Sequence, residues 1–170
     1  MTMFLTRPVA LLFGLLVLTS SVQAQTFVGG NDRGGQIGRY LLRFDEMRYS
    51  GQHVVVGGNC LSACTMVLGI VPVDRMCVQD DARLGFHAAW MPDEDGIPHT
   101  SVPGTQALWE IYPPDIKRLI KRHGGLRRKM FFVSGLELPA RYRVGCDSNL
   151  PIFASREPSK KKGSKAQASK

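Results

Sequence analysis

The stretch that decides the predicted fold is residues 53–70, HVVVGGNCLSACTMVLGI. Its β-branched run at residues 53–56 predicts a buried strand, because branched side chains pack well on a pleated surface. Residues 57–59, Gly-Gly-Asn, are expected to end that strand. The small and apolar residues at 61–70 predict a buried helix with Ser62 in its first turn. A strand that leads directly into a buried helix is typical of an α/β domain.

The segments on either side extend this pattern without an internal repeat. Residues 37–47 carry apolar side chains at the three-and-four spacing of a helix with one buried face. Residues 91–103 hold three prolines and several polar residues, so we expect a loop there. Strands are predicted at 76–78 and 82–87. Helices are predicted at 105–123, broken at Pro113-Pro114, and at 127–143. We therefore expect one α/β domain over residues 25–155, with its sheet covered by helices.

The composition is that of a packed domain with an excess of basic residues. The chain has 170 residues, of which 44% are hydrophobic and 21% charged, and a net charge of +8. These proportions exclude a wholly disordered chain, a collagen-like repeat and a multi-pass membrane protein. Residues 156–170 hold six basic residues, one acid and no aromatic residue. We expect a disordered basic tail that is solvated or touches an anionic surface, and no specific binding of nucleic acid.

Residues 1–24 are predicted to be a signal peptide. Arg7 precedes the uncharged apolar residues 9–18, and Val22 and Ala24 occupy the positions that a signal peptidase recognises. The apolar run is shorter than the roughly 20 residues needed to span a bilayer. Cleavage after Ala24 is therefore expected, with an uncleaved membrane anchor as the alternative. The mature protein would be periplasmic or secreted, with no membrane span.

Four cysteines follow the predicted cleavage site: Cys60, Cys64, Cys77 and Cys146. An even number of cysteines in an exported chain favours disulfides. Of the three possible connectivities, we predict the pairs Cys64–Cys77 and Cys60–Cys146. The alternative is a metal site in which His87 joins the first three cysteines, but this spacing matches no familiar zinc pattern. We therefore expect neither a metal nor another cofactor.

Three features of the chain could carry chemistry. Ser62 lies at a strand–helix junction, where the first N–H groups of the helix, including that of Ala63, could stabilise an oxyanion. His87 ends a strand-like run and could accept the serine proton. Gly34 and Gly35 lack side chains, so a backbone N–H can closely approach a substrate carbonyl. Taken alone, the serine could be a helix cap and the glycines could form a turn. The arrangement of the serine, the histidine and the glycines together indicates a catalytic site.

These features carry a resemblance to a known family. Gly34-Gly35, residues 58–64 (GNCLSAC) and residues 82–87 (ARLGFH) resemble the proteolytic subunit of Clp protease, within the wider crotonase-like superfamily. The second glycine lies 27 residues before the serine and the histidine 25 residues after it, close to the spacings of that family. The resemblance covers residues 28–89 well and the remainder poorly.

The resemblance implies a fold and a set of roles. The fold would be an α/β core with a mostly parallel sheet flanked by helices, and family members assemble into homo-oligomers. Ser62 would be the nucleophile and His87 the base. The backbone N–H groups of Gly35 and Ala63 would form the oxyanion hole.

The family's third catalytic residue, a carboxylate, has no clean match in this chain. We prefer Asp147, because a disulfide at the adjacent Cys146 could hold it near the site. Glu137 is the alternative, since it lies closer to the family's spacing, and Asp115 is a weaker third. Without a carboxylate the histidine would lose its orienting partner; replacing the triad aspartate of a chymotrypsin-like protease lowers kcat by about 10⁴-fold.

The sequence therefore leads to two expectations of function. The favoured one is an exported serine hydrolase, most simply a peptidase, that acts on a peptide or other acyl substrate. It would work without ATP, since no ATP-driven unfoldase operates outside the cytoplasm. The alternative is a catalytically inactive relative that keeps the fold to bind a partner or assemble. Binding of acyl thioesters in the manner of crotonases would require a coenzyme pocket, and an exported protein rarely meets that coenzyme.

Overall fold

The computed structural model describes residues 25–146, which form two sheets and four α-helices. The strands are β1 (Gln25–Asp32), β2 (His53–Leu61), β3 (Met76–Val78), β4 (Arg83–Phe86), β5 (Trp90–Pro92), β6 (Pro98–Thr100) and β7 (Phe131–Ser134). The α-helices are α1 (Ile37–Ser50), α2 (Val67–Ile70), α3 (Val102–Ile111) and α4 (Pro114–Arg122). Short 3₁₀ helices occur at Ser62–Met66, Val73–Arg75, Gly135–Glu137 and Ala140–Tyr142.

The main sheet is built around β2. This strand pairs in parallel with β1 on one side and with β3 and then β4 on the other. At the far edge β7 pairs with β4 in the antiparallel direction. The predicted α/β fold, a mostly parallel sheet flanked by helices, is confirmed.

Burial explains why β2 lies at the centre. Val54 and Val56 are 1% and 0% exposed, because the strand has neighbours on both edges and helices over its faces. Phe44 of α1 and Leu84 of β4 are fully buried in the same core. α4 contributes three buried side chains at helical spacing, Ile116, Leu119 and Ile120.

The glycines at 57–58 do not end the strand as expected. β2 continues through them to Leu61, and Gly57 and Gly58 lie opposite Gly29 and Gly30 of β1. A Cβ on Gly58 would come within 2.7 Å of the Gly30 carbonyl oxygen. Glycine is therefore needed here for the close approach of two backbones, a role that the local sequence pattern does not distinguish from a turn.

Three other predicted segments differ from the structure. Residues 91–103 were expected to be a loop, but they contain most of the β5–β6 hairpin and the start of α3. Residues 127–143 were expected to be helical, and this is wrong: they hold β7 and two 3₁₀ turns. The β-forming sequence Phe131-Phe132-Val133 pairs with β4, so the tertiary partner outweighs the weak helical pattern. The helix expected at 61–70 is divided into a 3₁₀ helix and α2.

The four cysteines form two disulfides, as expected, but in different pairs. Cys60 is bonded to Cys64 and Cys77 to Cys146, with Cα atoms 5.2 Å apart in each pair. The predicted pairing is wrong because the backbone turns sharply between Cys60 and Cys64 and brings their side chains together inside the core. Cys77 lies on β3, where the chain returns at Cys146. The thiolates that the alternative metal site would need are thus engaged in disulfides.

Several expectations lie outside the described residues. These are the signal peptide at 1–24, the end of the domain at 147–155 and the basic tail at 156–170. Within residues 25–146, no helix is long and apolar enough to cross a membrane.

An ion pair ties the start of α4 to the last described 3₁₀ helix. Arg141 donates two hydrogen bonds to the carboxylate of Asp115, at 2.8 and 2.9 Å, and lies against the ring of Tyr142. Burial by itself would raise the pKa of Asp115, but the hydrogen bonds and charge of Arg141 lower it below its ordinary value. The ionised carboxylate therefore stabilises the folded state, and this contribution is lost as the pH falls through the folded pKa.

We expect Asp115→Asn to lower the free energy of unfolding at pH 7 by about 1 kcal/mol, because Arg141 is half-exposed and water weakens the pair. The difference from wild type should shrink below about pH 4, where the unfolded carboxylate is protonated. Urea unfolding at pH 7 and pH 3 measures both quantities. Asp81→Asn, at an exposed turn, is the control; an equal loss in both variants at pH 7 would contradict the assignment.

Candidate active site

Ser62 occupies a strained turn at the end of the central strand. Leu61 is still extended, with φ −110° and ψ 150°, whereas Ser62 has a φ of 57° and begins the 3₁₀ helix Ser62–Met66. Among residues 25–146 it is the only residue other than glycine with a positive φ. A left-handed conformation in such a residue costs about 1–3 kcal/mol and is typical of functional sites. The predicted helix start is therefore a sharp reversal that presents the serine hydroxyl.

The parallel sheet brings His87 to the same place. β4 pairs in parallel with the end of β2, with Gly85 opposite Leu61, so both strands end at one edge of the sheet. His87 follows β4 directly, and its Nε2 lies 2.7 Å from the Ser62 Oγ. The residue is only 9% exposed. Two residues 25 positions apart in the chain are thus in direct hydrogen-bond contact.

A backbone carbonyl fixes the orientation of the imidazole. His87 Nδ1 lies 2.6 Å from the carbonyl oxygen of Ala88, and the Ala88 N–H donates to the Arg127 carbonyl at 2.8 Å. Because a carbonyl can only accept, Nδ1 of the neutral ring carries the proton. Nε2 is then the acceptor for the serine hydroxyl, which is the tautomer that a general base requires.

The structure does not bring Glu137 to the histidine. Its carboxylate accepts hydrogen bonds from the N–H and hydroxyl of Ser134, which lower the pKa of Glu137 despite the opposing effect of slight burial. Ser134 pairs with Arg83 at the start of β4, whereas His87 follows the other end of that strand. Glu137 therefore caps a 3₁₀ turn at the opposite end of the strand.

Of the other two acids considered, one is engaged elsewhere and one lies outside the described residues. Asp115 belongs to the ion pair with Arg141 described above. Asp147, the preferred candidate, lies outside the described residues. Both ring nitrogens of His87 already have partners, so a carboxylate at Nδ1 would have to displace the Ala88 carbonyl.

The glycine-rich loop after β1 packs against the turn that carries the serine. A Cβ on Gly34 would lie 2.6 Å from the Ser62 Cβ and 3.0 Å from the Ala63 nitrogen, and Gly34 itself has a φ of 80°. Gly35 follows it and shares with Ser62 the lining of one cavity. Ala63 is the second residue of the 3₁₀ helix, and the first N–H groups of a helix have no partner within it. The two residues predicted to supply oxyanion donors are therefore Ala63, next to the serine in the chain, and Gly35, which lines the same cavity as the serine.

An aspartate that the sequence analysis missed holds this loop in place. The Asp32 carboxylate accepts the Gly34 N–H at 2.9 Å and the hydroxyl of Tyr40, and it pairs with Arg43 at 3.3 Å. Burial and the bond to Asp32 raise the pKa of Tyr40 to about 12. An Asp two residues before a glycine is a known turn signal and could have been read from the sequence. The partners on α1 could not, since they depend on how that helix packs.

The hydroxyl and imidazole open into a large cavity. Its volume is about 980 Å³, near the upper end of the range for ligand sites and sufficient for several residues of an extended chain. Its lining includes the glycine loop, the start of α3 and the β5–β6 hairpin, on which Trp90 and Met91 are exposed. Apart from His87, the ionisable residues among its lining are Arg33 and Arg128. The cavity is therefore apolar with a positive bias.

Comparison with known proteins adds no assignment: no model of a protein family matches the chain, and no curated protein matches it significantly. The site must be judged on its geometry. A serine on a strained turn, a buried histidine in hydrogen-bond contact and the N–H groups of a helix start are elements that acyl transfer uses.

We expect Gly34→Ala to slow modification of Ser62 by a fluorophosphonate about tenfold or more, because the new Cβ would displace the turn that carries the hydroxyl. Gly38→Ala is the matched control: a Cβ there meets no atom within 4 Å, and alanine suits a helix better than glycine. The measurement is the labelling rate of each purified variant. Equal rates for Gly34→Ala and wild type would show that the loop does not position the serine.

Proposed function

We propose that this protein is an ATP-independent serine hydrolase of the Clp protease type, acting as a peptidase. The observation that carries the proposal is the 2.7 Å hydrogen bond between the Ser62 Oγ and the His87 Nε2 on a strained turn. A serine that merely capped a helix would accept a backbone N–H. The Ser62–Met66 helix has no side-chain cap, and this hydroxyl contacts an imidazole.

The mechanism follows from the positions of these groups. Ser62 Oγ attacks the substrate carbonyl while His87 Nε2 takes its proton. The oxyanion that forms is held by the N–H groups of Gly35 and Ala63. The imidazolium then gives the proton to the leaving amine, which departs and leaves an acyl ester on Ser62. His87 next removes a proton from water, the hydroxide attacks the ester, and the serine is released with its proton restored.

The orienting role in this mechanism falls to the Ala88 carbonyl. It holds the tautomer in which Nε2 can accept a proton, as the carboxylate does in a triad. A neutral carbonyl stabilises the imidazolium less than a carboxylate does, so we expect slower turnover than in a full triad. Asp147 stays a prediction from the sequence, and the steps above proceed without it because the Ala88 carbonyl already occupies Nδ1.

The two disulfides are compatible with a protein of an oxidising compartment. We propose a periplasmic or secreted location, consistent with the signal peptide predicted at residues 1–24. Homo-oligomerisation remains an expectation drawn from the family resemblance.

We expect a fluorophosphonate probe to label the oxidised wild-type protein and to leave Ser62→Ala unlabelled. His87→Gln, which keeps a polar side chain but removes the base, should lower the labelling rate by about 10²–10⁴-fold. Mass spectrometry of the labelled peptide identifies the modified residue. Circular dichroism of each variant shows whether it is folded.

Labelling of Ser62→Ala at the wild-type rate would contradict the assignment of the nucleophile. If neither the wild-type protein nor Ser62→Ala is labelled, the result would favour the alternative function, a catalytically inactive protein that uses the cavity to bind a partner. A serine that is not activated does not react with the probe.

The arginines in the cavity lining indicate the charge of the substrate. We propose that a peptide with an apolar side chain and a nearby carboxylate fits this cavity best, because Arg33 and Arg128 attract the carboxylate. Peptides that differ only in Glu, Gln or Lys next to the scissile bond test this. We expect kcat/KM to fall in that order, by about tenfold per step at low salt. Arg128→Glu leaves one positive and one negative charge in the lining, so it should reduce the differences among the three peptides to less than about threefold; an unchanged preference for Glu would contradict the proposal.

A further inference from the structure

The disulfide Cys60–Cys64 encloses the proposed nucleophile. Three residues separate its two cysteines, and the central one is Ser62. Both cysteine side chains are fully buried, so the bridge lies beneath the turn, whereas Ser62 lines the cavity. Cys60 is fixed in the sheet, paired with Leu84 on one side and opposite Asp32 on the other. The bridge therefore ties the helix that follows Ser62 to the central strand that precedes it.

The left-handed conformation of Ser62 needs such a constraint. A strained residue keeps its conformation only where the surrounding structure determines it more than once. One constraint is a hydrogen bond from the Thr65 hydroxyl to the Ser62 carbonyl at 2.7 Å, with the Tyr112 hydroxyl within 2.6 Å of the same oxygen of Thr65. The disulfide is the second constraint, and it acts on both sides of the serine at once.

The second disulfide differs from the first in the length of the loop that it closes. Cys77–Cys146 spans 69 positions, against four for Cys60–Cys64. In the chain-entropy account, a disulfide stabilises a fold more when it closes a longer loop. The short bridge therefore contributes less to global stability, and its consequence is concentrated at the turn it encloses.

We propose that Cys60–Cys64 is a positioning element of the catalytic serine. The bridge holds the Ser62 backbone in the left-handed conformation that directs Oγ at His87 Nε2. A protein without this bridge would keep its fold and its cavity but would lose the alignment of the nucleophile. This inference rests on the proposed serine hydrolase function.

The test compares two disulfide deletions in the full chain. Cys60→Ala/Cys64→Ala removes the bridge around the serine, and Cys77→Ala/Cys146→Ala is the matched control. Fluorophosphonate labelling is followed at several probe concentrations, which separates the saturating rate from the half-saturating concentration. Melting temperatures are recorded for both variants.

For the first variant we expect the saturating rate to fall about 10²-fold, as a misplacement of about 1 Å produces. Its half-saturating concentration should change by less than about threefold, because the cavity is intact. For the control we expect the larger drop in melting temperature and a saturating rate close to wild type. A merely structural role would instead make the loss of rate follow the loss of stability.

Two results would overturn the inference: a wild-type rate in Cys60→Ala/Cys64→Ala, or an equal loss of rate in the control. If the alanine variant does not fold, Cys60→Val/Cys64→Ala fills the buried space better and replaces it. Failure of both to fold would make the bridge a requirement of the fold and would also overturn the inference. An unlabelled wild-type protein is a distinct outcome, because it would refute the proposed function itself.

Discussion

The reversal of the chain at Ser62 is the constraint on which the site depends. β2 runs extended to Leu61 in the middle of the sheet, and one residue in the left-handed region then turns the backbone into a 3₁₀ helix. Since this conformation is unfavourable for a residue with a side chain, the neighbouring structure must hold it. The disulfide beneath the turn, the Thr65 hydroxyl and the glycine loop at Gly34 all contact it. The packing around the turn offsets the strain and also fixes the position of the hydroxyl.

The parallel arrangement of β2 and β4 accounts for the second half of the site. Parallel strands end at the same edge of a sheet, so residues that follow two neighbouring strands lie close together however far apart they are in the chain. Ser62 and His87 follow such strands, and the Ala88 carbonyl completes the chain of hydrogen bonds. Burial of the imidazole strengthens these bonds, because fewer water molecules compete for them. The hairpin that follows Ala89 contributes apolar residues to the lining of the cavity.

Much of the fold and two residues of the site could be predicted from the sequence. The period of apolar residues in α1 and the β-branched run in β2 are local signals, and both elements begin where expected, although β2 continues past its predicted end. The family resemblance implied that Ser62 and His87 act together, and the structure brings the two side chains into contact. The prediction of a helix at residues 127–143 was wrong, because Phe131-Phe132-Val133 becomes a strand through pairing with β4. Glu137 failed as a catalytic acid for a similar reason: its distance along the chain was suitable, but the antiparallel direction of β7 places it at the wrong end of β4.

The sequence by itself determined the α/β class, the strand that carries the serine and the presence of disulfides, because these follow from residue types and local periodicity. Only the tertiary structure decided which cysteines pair, since Cys60 and Cys64 meet through a turn whose left-handed residue is not glycine. It also decided the partner of the imidazole. A backbone carbonyl has no side-chain identity, so no pattern of residues indicates Ala88, and its position depends on how the chain packs after β4.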